Sequence, residues 1–264
     1  MCIVFWKLLD NSSYRLILAF NRDEYFSRPT LGFHHWPTEP AIFAPQDLLP
    51  PAPQRGTYLG AHGRRLAFLT NFREPPPPNT KISRGALVRD YLLSKQSAFD
   101  YAQMVYEQGG DYAGFNLVLF DLDTNQTVYV TNRGYKGQGT VKALEGGVMG
   151  LSNATIDDVW PKVEQGREAF ARALEASSGD EQSLIENIMQ MMRGPGPFST
   201  HVPQRLDDLK HCVFVPELSD IHGLPSGKYG TRSTDVILLS NDQITVAESD
   251  HTSGECIRTT HLKI

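Results

Sequence analysis

The sequence predicts an α+β fold, and three observations carry that prediction. Apolar, β-branched or aromatic runs come in pairs around short polar turns, which makes antiparallel hairpins. Helical periodicity appears in two adjacent pairs of segments, which suits helices laid on a sheet. No internal repeat or break in composition divides the 264 residues, so a single domain spanning 1–264 is expected.

Residues Cys2–Leu8 and Tyr14–Phe20 form the first apolar pair, with Asp10–Ser13 as the turn. A ribbon beginning at residue 2 ties the start of the chain into a sheet. Residues 27–56 are rich in proline and lack a period, so no element is placed there. Leu66–Phe72 reads as a strand, and the prolines at 75–78 as an irregular or polyproline segment. Ser83 is the expected cap of a helix whose Leu87, Val88, Tyr91 and Leu92 share a face. A second helix is expected over Phe99–Glu107. Strands Asn116–Asp121 and Thr127–Asn132 flank another polar turn.

Trp160-Pro161 opens a third helix, with proline in its first turn and Val163, Phe170 and Leu174 on the buried side. A fourth covers Glu181–Arg193, with Leu184, Ile188 and Met192 in register. Gly194–Thr200 reads as a loop. Thr234–Ser240 and Ile244–Asp250 form a last hairpin, followed by a short strand including Cys256–Leu262.

Charge and composition narrow the function. With 25 Lys and Arg against 30 Asp and Glu, the net charge is −5, and no basic face is offered to nucleic acid. No apolar run approaches the roughly 20 residues that cross a bilayer. Three cysteines, Cys2, Cys212 and Cys256, lack framework spacing and read as free thiols in a reducing compartment. No metal-ligand spacing occurs. The adjacent His34 and His35 cannot both face one ligand in an extended segment. Cys212 and Cys256 read as core thiols, and Met189–Met192 as helix packing.

Cys2 is the residue with chemistry to offer. Trimming of Met1 would give it a thiol and a free α-amine together. The thiolate can attack a carbonyl while the amine, with an ordinary pKa of about 7.7–8.0, takes the proton. The polar stretch Phe20–Glu24 returns beside Cys2 through the hairpin. There Asp23 can orient the amine, and Arg22 or Arg232 can favour the thiolate. The side chains of Asn71 and Asn153, each at a strand end, can donate to an oxyanion. A weaker arrangement takes Ser152 in GLSNA as nucleophile with His251.

These stretches also carry a family likeness. MCI at the start, NRDE at 21–24 with RPT at 28–30, LTN at 69–71 and SRG at 83–85 occur in order. GFN at 114–116, GLSNA at 150–154, WPKV at 160–163 and YGTRS at 229–233 complete the set. The chain resembles the NRDE family, also called the transport and Golgi organisation 2 family. More distantly it is similar to N-terminal nucleophile hydrolases of the penicillin V acylase and bile-salt hydrolase kind.

The resemblance implies a four-layer αββα sandwich of mostly antiparallel sheets. From the acylase pattern, Cys2 carries over as nucleophile, Asp23 as holder of the amine, and Asn153, with Asn71, as the oxyanion donors. The acylases place an arginine just before their asparagine and aspartate; here Phe20 stands there and the arginine is Arg22. The family is linked to Golgi organisation and secretion, to haem trafficking and to acyl-CoA or lipid handling. Cytoplasm, Golgi and mitochondria are the compartments it implies.

Two functions therefore stay open. In one, the neighbourhood of Cys2 binds an acyl-CoA, lipid or haem ligand without cleaving it, with Asn21, Arg22, Glu24 and Arg232 as the holding residues. In the other, the chain is a cysteine amidohydrolase or thioesterase. Neither requires a cofactor, haem entering as cargo, and no nucleic-acid partner is expected.

Overall fold

The computed structural model describes residues 1–9, 12–75, 82–134, 137–177, 179–194, 203–254 and 257–264. Chain order begins with β1 (Cys2–Leu8), β2 (Leu16–Tyr25), β3 (Thr30–His35), β4 (Phe43–Asp47), β5 (Leu59–His62) and β6 (Arg65–Asn71). Helices α1 (Gly85–Leu93) and α2 (Ala98–Glu107) precede β7 (Phe115–Asp121), β8 (Gln126–Thr131), β9 (Thr140–Ala143) and β10 (Gly147–Leu151). Then come α3 (Pro161–Glu175), α4 (Glu181–Arg193), β11 (Leu218–Ser219), β12 (Lys228–Leu239), β13 (Gln243–Asp250) and β14 (Ile257–Lys263). The fold is mixed α+β with two antiparallel sheets.

These elements form two compact units. The first holds Met1–Ser27, Gly146–Ser152 and Ile156–Ile264; the second holds Arg28–Glu145 and Asn153–Thr155.

In the first unit the strand order is β10-β1-β2-β12-β13-β14, with β11 paired to β12. All of these pairs are antiparallel. Helices α3 and α4 cover one face. The Phe170 ring of α3 stacks on Phe5 at 6.0 Å between centroids, and Met192 of α4 accepts a hydrogen bond from Asn21. Strand alternation therefore puts Phe5, Asn21 and Asp23 on the helix side, and Cys2, Arg22 and Glu24 on the other. A bulge between Thr231 and Ser233 shifts β12 against β2, leaving Arg232 outside the pairing.

The second unit is the meander β3-β4-β5-β6-β7-β8-β9. Its core gathers Leu87, Val88, Tyr91 and Leu92 of α1 and Tyr101, Ala102 and Val105 of α2 with Leu117 and Leu119 of β7. The Tyr91 hydroxyl reaches through this core to the Phe120 carbonyl at 3.0 Å.

Several expectations need correcting. The residue that caps α1 is Arg84, without a side-chain bond, and Ser83 contributes its carbonyl to Ala86 N–H instead. The side-chain cap belongs to α2, where Ser97 accepts from Asp100 N–H. Leu174 is only half-buried, and Ala173 takes the inward place on α3. Residues 27–56 hold two strands, β3 and β4. The polar stretches NRDE and YGTRS lie inside β2 and β12 and do not merely follow or precede them. Cys256, Pro76–Pro78 and residues 195–200 of the expected loop lie outside the described residues.

Candidate functional site

Cys2 begins β1 directly opposite Arg22 of β2, so sulfur and guanidinium share the face away from the helices. Arg22 is 6 % exposed. Its Nη2 lies 3.8 Å from Glu24 Oε2 two residues along the same face. Cys2 is half-buried. Burial pushes its thiol above the ordinary range, aided by Asp23, while the N-terminal ammonium and Arg22 pull the other way. With Met1 in place the sulfur is thus held mainly as thiol.

Met1 is tied down. Its carbonyl accepts from Asp23 N–H at 2.6 Å. Its ammonium donates to the Asp23 carbonyl at 2.7 Å and to the Tyr229 hydroxyl. Burial lifts the Tyr229 phenol well above its usual value, and the neighbouring Asp23 adds to the effect, so the hydroxyl stays protonated.

Asp23 is 2 % exposed. Its Oδ1 accepts from Thr231 Oγ1 at 2.7 Å; its buried Oδ2 has no hydrogen-bond partner among the described residues. Burial raises the carboxyl pKa. Lys162, the N-terminal ammonium and the Thr231 hydroxyl oppose that rise, and Glu24 adds to it. Thr231 in turn accepts from Val215 N–H at 2.8 Å, anchoring the carboxylate to the chain beyond the 3-10 helix at Leu206–His211.

Asn21 is a brace on the helix side. Both amide hydrogens go to carbonyls, Met192 and Val213, each at 2.9 Å. Its oxygen accepts from Thr234 at 2.7 Å. Arg232, at the bulge, donates to the Tyr25 carbonyl at 3.3 Å.

Asn71 and Asn153 belong to the second unit, where the structure brings them together. Asn153 Nδ2 donates to the Asn71 carbonyl at 2.7 Å, and the Asn153 carbonyl accepts from Arg73 N–H at 2.7 Å. Asn153 is 1 % exposed, whereas Asn71 is exposed. Ser152 donates to the Cys2 carbonyl at 2.7 Å, and the His251 ring bonds to Thr234 at 2.9 Å. A serine-histidine hydrogen bond is not among these contacts. No cluster of three or more His, Cys, Asp or Glu side chains suited to a metal occurs among the described residues.

Sequence reasoning passed over Thr231, Tyr229 and Lys162. The first two lie in YGTRS, where only the arginine drew notice. Lys162 lies in WPKV, where the helix pattern weighted apolar positions alone.

The order of these stretches along the chain has a counterpart in known proteins. The family model described as Transport and Golgi organisation 2 matches residues 1–253. The chain belongs to the Transport and Golgi organisation 2 family. It is 30 % identical over 258 residues to the mouse protein named Transport and Golgi organization 2 homolog, covering 94 % of this chain and 92 % of the relative. The human Transport and Golgi organization protein 2 homolog is 31 % identical over 251 residues, covering 92 % and 90 %. The fruit-fly Transport and Golgi organization protein 2 is 25 % identical over 261 residues, covering 92 % and 89 %. The family's span therefore reaches into both units, with the Cys2 ribbon, Lys162 and YGTRS inside it.

Proposed function

We propose that this chain shares the role in transport and Golgi organisation for which its relatives are named. It does so by binding an acyl-CoA, lipid or haem ligand beside Cys2. The observation that carries this reading is Arg22, nearly buried next to the thiol. Its guanidinium fork suits a phosphate or a propionate. Glu24 balances the charge until a ligand anion arrives, and Arg232 supplies a second cation on β12. In this reading haem is cargo, and the protein works in the cytoplasm with Golgi or mitochondrial association. Titration of the purified full chain with acyl-CoA and with haem tests it. Saturable binding with intact ligand recovered, weakened in Arg22→Leu, is expected. Absence of binding to either overturns it.

A second reading has its own observation. The Asp23 carboxylate, buried beside the N-terminus with Oδ2 unengaged, suits the holder of a cysteine α-amine in an amidohydrolase or thioesterase. That reading needs Cys2 as the mature terminus. Release of free CoA or fatty acid by a protein whose terminal peptide lacks Met1 supports it. Retention of Met1 in the native protein eliminates it.

A further inference from the structure

Strand β14 ends the first sheet, and among the described residues β13 is the one strand it pairs with. Such an edge is a template for a further strand. The other edges are poorer templates. β9 has four residues, β10 five and β11 two, and a bulge breaks β3 between Leu31 and His34. β14 keeps one register with β13 from Lys263 opposite Gln243 to Ile257 opposite Ser249, and it holds no proline or glycine. Charged side chains usually guard an edge strand, but here they are drawn inward. The Arg258 guanidinium bonds to Glu248 of β13. His261 Nε2, on the opposite face, lies 2.7 Å from Glu181 Oε1 at the start of α4.

We propose that β14 pairs with β14 of a second copy of this chain, antiparallel about a two-fold axis at Thr260, joining the first sheets of the two copies into one. The backbone supplies the register. Ile264 N–H donates to the Asp242 carbonyl at 3.0 Å, which continues the pairing with β13. Alternate residues of an antiparallel ladder bond to the same side, so Arg258, Thr260 and Leu262 turn their N–H and C=O groups to β13. Those of Ile257, Thr259, His261 and Lys263 turn outward. Outward groups must meet outward groups, so the axis passes through a residue position. At Thr260 it sets Thr259 against His261 and Ile257 against Lys263, and all four outward residues of each copy exchange bonds. It also sets Leu262 against Arg258, whose stem can cover it. No two charged side chains are then opposite one another. An axis at His261 would oppose two basic rings, which is unfavourable. One at Thr259 would carry Lys263 past Ile257, where the strand begins.

The test is sedimentation of the full chain without ligand at rising concentration. A monomer–dimer equilibrium is expected, and its loss in Thr259→Pro. That proline removes an outward N–H and leaves the bonds to β13, so its circular dichroism is expected to match the parent. A monomer at every concentration overturns the proposal and leaves the edge to solvent or to a strand of another protein. A dimer that persists in Thr259→Pro overturns it as well. Thr260→Cys reads the register. The two Thr260 residues face each other as a non-hydrogen-bonded pair, with Cα atoms about 4.5 Å apart, within disulfide reach. Mild oxidation is expected to join the two substituted positions, identified from peptide masses, and in Lys263→Cys to join none. Should Thr259→Pro fail to fold, the disulfide decides, because its formation at position 260 supports the pairing and its absence overturns it. None of these readouts involves ligand. A failed acyl-CoA and haem titration therefore overturns the ligand reading and leaves the strand pairing standing.

Discussion

Cys2 and Arg22 face one another across the first two strands, while Asp23, one residue further, turns to the opposite side of the sheet. The thiol thus feels a cation on its own face and an anion beneath it. Their effects have opposite sign: Arg22 lowers the thiol pKa and Asp23 raises it, on top of the rise from burial. Arg22→Leu is therefore expected to shift the pH midpoint of Cys2 alkylation upward, and Asp23→Asn downward. Iodoacetamide labelling read from the mass of the N-terminal peptide separates Cys2 from the other thiols. A shift of both variants in the same direction contradicts this electrostatic account.

Thr231 connects the site to its support. One hydroxyl serves two buried groups, donating to Asp23 Oδ1 and accepting from Val215 N–H. Thr231→Val keeps the shape and removes both bonds, leaving a carboxylate oxygen and an amide without partners. Each orphaned group costs about 1–3 kcal/mol. A loss of about 2–4 kcal/mol in urea unfolding is the expected result, with an unchanged m-value. A change within about 0.5 kcal/mol shows that the bonds contribute nothing net.

The ribbon starting at Cys2 and the helix Glu181–Arg193 were legible because their periods depend on neighbours in the chain. Strands β3 and β4 were not. Thr30–His35 does not alternate cleanly, and Pro45 lies within β4. Their pairing with each other and with β5 defines them. The expected strand stops at Phe20, short of NRDE, because four polar residues seldom sit inside a strand. Here Met192, Val213 and Thr234 satisfy Asn21, and Thr231 bonds to Asp23, all from far along the chain. Lys162 was missed for a related reason. A lysine early in a helix is expected to reach for solvent, and nothing in the local period marks this one as buried.

The second unit has an ionic clamp of its own. Glu74 accepts from Arg133 Nε at 2.8 Å and from Gly114 N–H at 2.6 Å. Burial works to raise its pKa, but the Arg133 and Gly114 hydrogen bonds outweigh it and hold the carboxyl below its ordinary 4.5. A depressed acid contributes stability that is present above its unfolded pKa and lost as pH falls through the folded one. Glu74→Gln is expected to lower Tm most near neutrality, with the gap to the parent closing below about pH 4.5. A gap of constant size from pH 7 to pH 3 shows that the charge of Glu74 is immaterial.

Gly166 fixes how closely α3 approaches β1. A Cβ built there lies 2.1 Å from Phe5 Cζ and 2.7 Å from Cε1, and Phe5 is fully buried beneath Phe170. Alanine in mid-helix ordinarily gains about 1 kcal/mol over glycine. Forcing a methyl into a filled core costs about 1–3 kcal/mol. The clash leaves no room for the ring to remain where it is, so the second effect wins. Gly166→Ala is expected to destabilise by up to about 2 kcal/mol, and Phe5→Leu in the same chain to recover part of that loss. Phe5 lies three residues from Cys2, so the displacement also reaches the site, seen as a changed alkylation rate at Cys2 in the single variant. Greater stability in Gly166→Ala than in the parent contradicts the close helix–strand contact.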